Sequence, residues 1–185
     1  MTKRFLTTKL PILVSALVII SLGSCTSANM YLKSSYNKAP YTNSVALDKE
    51  SAWNRVITAL DSCGISIFKI ASKKDGILVS ETIDFSDSFT YETKDGRLEN
   101  PAAYVVIADF KEIRGRRVTP QNIKGTLTVR FKEEGGKVSV SVFMTELKCI
   151  YEAGSHTTED SRYSQIESAS TGVLENTILK AISKY

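Results

Sequence analysis

His156 is the single histidine of this 185-residue chain. It lies in Glu152-Ala-Gly-Ser155-His156-Thr-Thr-Glu159-Asp160, where a nucleophile, a base and orienting carboxylates stand within a few residues of one another. Acyl transfer needs those three roles to converge in space, hydroxyl to imidazole to carboxylate. Neighbouring loop side chains such as Ser155 and His156 diverge, so a hydrolase would have to rely on His156 with Glu159 or Asp160. The sequence contains no G-x-S-x-G elbow, no H-E-x-x-H helix and no phosphate-cradling glycine loop. We therefore expect no enzyme and no catalytic residue, with His156 on a solvated loop.

Residues 84–99 concentrate carboxylates at Asp84, Asp87, Glu92, Asp95 and Glu99, the ligand type that calcium prefers. They lack the D-x-D-x-D-G spacing that wraps such ligands round one ion, so a hydrated loop is expected, with no metal and no cofactor. Lys111, Arg114, Arg116, Arg117 and Lys124 form a patch of opposite sign, suited to anionic headgroups or to a solvated hairpin rim. Opposite charge also lets the two loops attract each other.

The opening residues 1–24 carry Lys3, Arg4 and Lys9, no acid, and the apolar run Leu10 to Leu22, which is the layout of a secretory signal peptide. Thirteen residues broken by Pro11, Ser15 and Ser21 fall short of the about 20 that a membrane-spanning helix requires. Leu22-Gly23-Ser24-Cys25 resembles the lipobox of bacterial lipoproteins, where small residues precede a cysteine that receives a diacylglycerol thioether before cleavage. The resemblance implies lipidation of Cys25, whose acyl chains would each contribute about 0.8 kcal/mol per buried methylene and tie the chain stably to a membrane. It also implies a place in the cell envelope. Thr26-Ser-Ala-Asn-Met30 holds neither the Asp that retains lipoproteins in the inner membrane nor an acidic surface-export cluster, which favours the periplasmic side of the outer membrane.

Without the leader the formal charge of +4 nearly vanishes: three of 24 basic residues precede Cys25, leaving 21 against 20 acidic ones. Nucleic acid is thereby excluded as a partner, because it would demand a basic excess. The remaining 161 residues suffice for one domain with one core. In an oxidising compartment Cys63 and Cys149 have two open fates. They form a disulfide, for which the chain-entropy relation gives roughly 4–5 kcal/mol, or they stay buried as small apolar thiols.

Those residues must be carried by a frame. Thr26 to Ser44 has three tyrosines (Tyr31, Tyr36, Tyr41) and no apolar period, and reads as a flexible tether spanning about 25 Å. Residues 45–185 read as the globular domain. Asp48 caps a helix with Trp53, Val56, Ile57, Leu60 and Cys63 on one side and Gly64 as its stop. Ile65 to Ile70 and Ile77 to Ile83 make a hairpin. A short strand is expected around Phe89 to Tyr91, then longer ones at Tyr104 to Lys111, Gly125 to Lys132 and Lys137 to Lys148. The last switches parity between Val138/Val140/Val142 and Phe143/Leu147/Cys149, which calls for a bulge near Met144. Ser161 is expected to cap a second long helix through Ile166, Ala169, Val173, Ile178 and Ile182, interrupted by Gly172. The fold class is α+β: a single domain with a curved antiparallel sheet of five or six strands and N- and C-terminal helices on one face.

The stretch Ser51-Ala-Trp53…Leu60-Asp-Ser-Cys-Gly64-Ile65…Lys73-Lys-Asp75-Gly76-Ile77-Leu-Val79-Ser-Glu81 resembles the entry helix and first hairpin of the domains of the outer-membrane assembly lipoprotein BamC (NlpB). Ser170-Thr171-Gly172-Val173-Leu174-Glu175 is similar to the start of the terminal helix in related lipoprotein domains. The resemblance implies a helix-grip-like fold and a non-enzymatic accessory or scaffold role beside an envelope protein partner, and it carries over no binding residue. That family has two such domains after a long unstructured segment, whereas this chain has one after a short tether. A different class of function is a small-ligand carrier, holding a lipid-like or apolar molecule in a cavity lined by Trp53, Tyr104, Phe110 and Phe143.

Overall fold

The computed structural model describes residues 31–36, 40–109, 117, 119–153 and 162–183. Helix α1, Lys49–Ser62, begins where Asp48 accepts the Ser51 N–H at 2.8 Å and the Ser51 hydroxyl at 2.6 Å. It ends in a Schellman turn: Gly64 at φ +77° donates to Asp61 O and Ile65 donates to Leu60 O, each at 2.9 Å. The turn closes Ile65 over Leu60, both buried, which is the apolar contact that usually seals this cap.

From β1 (Tyr41–Val45) the chain passes through α1 to β2 (Phe68–Ser72), β3 (Ile77–Ser80), β4 (Ile83–Asp84), β5 (Phe89–Tyr91) and β6 (Val105–Ile107). There follow β7 (Asn122–Glu134), β8 (Lys137–Ala153), β9 (Arg162–Ile166), β10 (Ser168–Ser170) and the helix α2 (Val173–Ser183). The class is α+β, mostly antiparallel, with one helix toward each end of the chain. In place of one sheet of five or six strands, the described residues form two, of seven and three strands. The larger is ordered β1-β8-β7-β3-β2, with β4 on β7 and β9 on β8. The smaller, β10-β6-β5, contains a parallel pair, Phe89 to Val105 through Tyr91 to Ile107, where only antiparallel neighbours were expected.

The alternation of Leu127, Val129 and Phe131 with polar residues builds the long β7–β8 ladder, and the parity switch has the expected cause. Lys124 faces Lys148 and Thr126 faces Thr145, so Gly125 alone opposes Glu146 and Leu147. Glu146 takes up the extra length at φ 53°. The bulge returns Cys149 and Tyr151 to the same interior as Val138, Val140 and Val142. On that side Trp53 of α1 lies on Phe131, centroids 5.2 Å apart, and α2 packs on α1, β1 and β8.

Two expectations are corrected. The tether does not extend to Ser44, because Tyr41–Val45 pairs with β8 residue by residue from Tyr41 opposite Val142 to Val45 opposite Val138. Nor does a helix start at Ser161: Arg162–Ile166 extends the ladder on β8, and Ser168–Ser170 pairs with β6. The serines that dominate this stretch are weak helix formers, and pairing on β8 and β6 satisfies their backbone groups. Gly172 is therefore no interruption. At φ +83° it ends the strand, and its carbonyl accepts the Asn176 N–H at 3.0 Å to open α2.

Candidate functional site

The most concentrated polar construction lies on the small sheet. Glu92 follows β5, and its N–H bonds to Ile107 O at 3.0 Å, so its side chain is set by the sheet and is 2% exposed. The carboxylate faces residues 31–36. Oε2 accepts the Lys33 N–H at 2.5 Å, and Oε1 accepts the Ser34 N–H at 2.6 Å and the Tyr36 hydroxyl at 3.1 Å. Glu167, between β9 and β10, accepts the Leu32 N–H at 2.8 Å, while the Ser34 hydroxyl donates to Gly96 O at 2.8 Å. Residues 31–36, expected as tether, are thus clasped by two acids and the 93–97 turn.

Burial pushes the Glu92 carboxyl up, but the N–H groups of Lys33 and Ser34 outweigh it and leave the group below its ordinary value of 4.5. Tyr36 is pushed up to about 12 by burial and by its hydrogen bond to the Glu92 charge. Glu92 is therefore the charged partner and Tyr36 the neutral donor at physiological pH.

A second cluster ties the acidic segment to the basic one, as their charges allow. Arg117 donates from Nε to Asp109 at 2.9 Å and from Nη1 and Nη2 to Glu99 at 3.0 and 2.6 Å, with its guanidinium 4.2 Å from the Tyr91 ring centre. These bonds to Glu99 and Asp109 hold its pKa above the usual arginine range. The other acids do not converge on one point: Asp84 accepts the Ser86 N–H at 2.8 Å, and Asp87 and Asp95 are exposed. Lys124 is exposed on β7, whereas Lys111, Arg114 and Arg116 lie outside the described residues.

Glu175 in α2 is 1% exposed, with Oε1 accepting the Ser170 hydroxyl at 2.6 Å. Its Oε2 has no hydrogen-bond partner among the described residues. Burial raises its pKa, only partly offset by the Ser170 bond. A raised folded-state pKa favours the protonated form, so its contribution to stability is complete below the ordinary glutamate value and is lost as pH rises through the folded one. Glu175→Gln is expected to stabilise the protein at neutral pH by about 1 kcal/mol, since it removes a buried charge with an unmatched oxygen. Urea unfolding of both forms should show the gain at pH 7 and its disappearance in acid.

Cys63, half-buried at the α1 cap, and Cys149, buried in β8, are free thiols. Burial pushes the Cys149 thiol up to about 11. With thiolate the reacting species, Cys63 is expected to react with a thiol reagent at pH 8 while Cys149 reacts only after denaturation, a stepwise titration that a disulfide would abolish. Cys25, the proposed lipid site, lies outside the described residues, as do Ser155, His156, Glu159 and Asp160.

The aromatic residues considered for a ligand cavity occupy three different places. Trp53 is stacked on Phe131, Tyr104 borders the small sheet through its N–H to Ser88 O, and Phe143 lies under Arg130, 5.5 Å from its guanidinium. Phe110 is outside the described residues. A cleft of about 220 Å³ opens instead between Asn43, Leu47, Arg55 and Ile182, below the roughly 300–1,000 Å³ of ordinary small-molecule sites.

The sequence places Glu92 in a hydrated acidic loop, where it is in fact buried, and assigns no role to Glu167, Glu175 or Ser170. One signal was present: Glu175 falls in the buried stripe Leu174, Ile178, Leu179 and Ile182, where an acid needs a partner. No protein-family model matches the chain, and a search of curated proteins finds no matching relative.

Proposed function

We propose that the chain is a lipoprotein anchored through Cys25 at the periplasmic side of the outer membrane, where its helix-grip-like domain serves as a non-enzymatic binding module for an envelope protein. The address follows from the leader and the resemblance of Leu22-Gly23-Ser24-Cys25 to a lipobox. The observation that supports a binding role is the sheet edge at β2. Among the described residues that strand is terminal in the larger sheet, and Ile67 just before it and Ile70 within it are 70% and 45% exposed, beside exposed Lys69. A bulge between Phe68 and Ile70 and the charge of Lys69 guard this edge against open-ended pairing, yet it carries apolar side chains toward solvent. An added strand from a partner would complete its hydrogen bonds and cover both isoleucines.

The reading is tested by placing a photo-crosslinking residue at Ile70 in the membrane-anchored protein and irradiating intact cells. A crosslinked envelope protein that disappears when Ile67 is changed to Asp is the expected result. Irradiation that yields only the uncrosslinked chain at normal expression removes the binding role from this edge.

A further inference from the structure

We propose that the Glu92 clasp fixes the orientation of the domain on the membrane, setting Tyr31, Lys33, Lys94 and Arg97 against an anionic lipid surface. This rests on the anchor at Cys25 proposed above. Leu32, Lys33 and Ser34 are bound through their backbone N–H groups, so among the described residues the chain is first fixed to the domain there rather than at β1. Six peptide links separate Cys25 from Tyr31, and six links span no more than about 20 Å in any conformation. The small sheet is therefore the part of the domain on the shortest leash.

Its chemistry matches that position. Tyr31 is 72% exposed, the most exposed of the large apolar residues among those described, and a phenol with an apolar body and a polar tip suits the headgroup layer. Lys33, Lys94 and Arg97 are exposed around the same point, because the Ser34 hydroxyl is bonded to Gly96 O within the 93–97 turn. Of the acids there, Glu92 is buried on the clasp, leaving Asp95 as the exposed negative charge of the turn. Three exposed cations against one exposed acid, beside an exposed ring and with the Glu92 and Glu167 carboxylates turned inward onto backbone N–H groups, make an outer surface complementary to anionic headgroups.

The opposite end lies beyond the leash. Phe85, four residues ahead of β5, donates to Ile123 O at 2.7 Å and so brings the approach to the small sheet beside the start of β7. From Ile123 to Glu134 the strand runs roughly 35 Å away, to a tip that ends at Lys137.

Full-length lipidated protein, with Cys63→Ser and either Lys94→Cys or Lys137→Cys, is spin-labelled and reconstituted in vesicles of equal parts phosphatidylethanolamine and phosphatidylglycerol. Collision of the nitroxide with a nickel-chelating lipid is then measured. The label at position 94 is expected to collide several-fold more often than the label at 137, and the Glu92→Gln change is expected to level the two. Equal collision in the parent pair, the reverse order, or a difference that survives in folded Glu92→Gln protein overturns the proposal. If that variant does not fold, the parent pair decides alone. Mass spectrometry of the Cys25 peptide separates the two failures: an unmodified cysteine sinks the anchor and the orientation together, and a lipidated one with equal collisions sinks only the orientation.

Discussion

Alanine at Glu92 should lower the melting temperature by about 5–10 °C and expose residues 31–36 to proteolysis. The carboxylate accepts the N–H groups of Lys33 and Ser34 and the Tyr36 hydroxyl from a position 2% exposed. Hydrogen bonds to a charged group are each worth about 1.5–3 kcal/mol. Lys33 and Ser35 are already exposed, so the released segment regains water and the net loss is smaller than the sum, about 2–3 kcal/mol. For a domain of this size that corresponds to the stated drop. Hydrogen exchange supplies the local readout, with the Lys33 and Ser34 amides accelerated far more than those of β7. Acid should act like the mutation. The folded-state pKa of Glu92 lies below the ordinary value of 4.5, so its contribution is complete above that value and fades as pH falls through the lower one. Unchanged exchange at Lys33 in the alanine variant would show that the clasp does not hold the segment.

Gly172→Ala is expected to cost about 2–5 kcal/mol. A methyl group there meets the Tyr41 phenol, whose Oη and Cζ occupy its place and whose Cε1 is 2.8 Å away. The residue also sits at φ +83°, where a β-carbon adds about 1–2 kcal/mol of strain. Overpacking adds about 1–3 kcal/mol, because the Tyr41 ring must swing aside to admit the methyl group while its backbone stays in the ladder with β8. Urea denaturation of the single variant and of Gly172→Ala combined with Tyr41→Ala separates the two contributions. The pair should recover part of the loss and leave the backbone strain, a non-additivity absent if the ring were not the obstacle. Glu175 shares this neighbourhood: burial, then its charge, raise the Tyr41 pKa.

What could be read from the sequence was whatever a local pattern determines. Asp48, the Trp53–Leu60 spacing and Gly64 fix α1 without reference to anything distant, and the parity change after Val142 calls for a bulge near Met144, which the structure places two residues on, at Glu146. Residues 162–170 defeated the same reasoning. Ile166 and Ala169 stand three apart, as on a helix, but this stretch pairs in extended form with the preceding strand β8 and with β6, which is remote in sequence. The clasp was illegible for a related reason. Glu92 lies 58 residues from Ser34, in a segment whose many acids suggested hydration, and no spacing rule tells which acid turns inward. Arg117 with Glu99 was half legible, since opposite charge predicted attraction between the loops but not which residues would meet.

The order of attachments along the chain also sets a mechanical path. Tension applied upstream of Tyr31 reaches the bonds to Glu167 and Glu92 first, and only after they part does it load β1, a strand of five residues. Beyond β1 the load would pass into β8, which joins much of the larger sheet. A clasp that yields alone lengthens the slack by several residues and leaves every ladder intact, so repeated tugging would be absorbed reversibly at the margin of the domain.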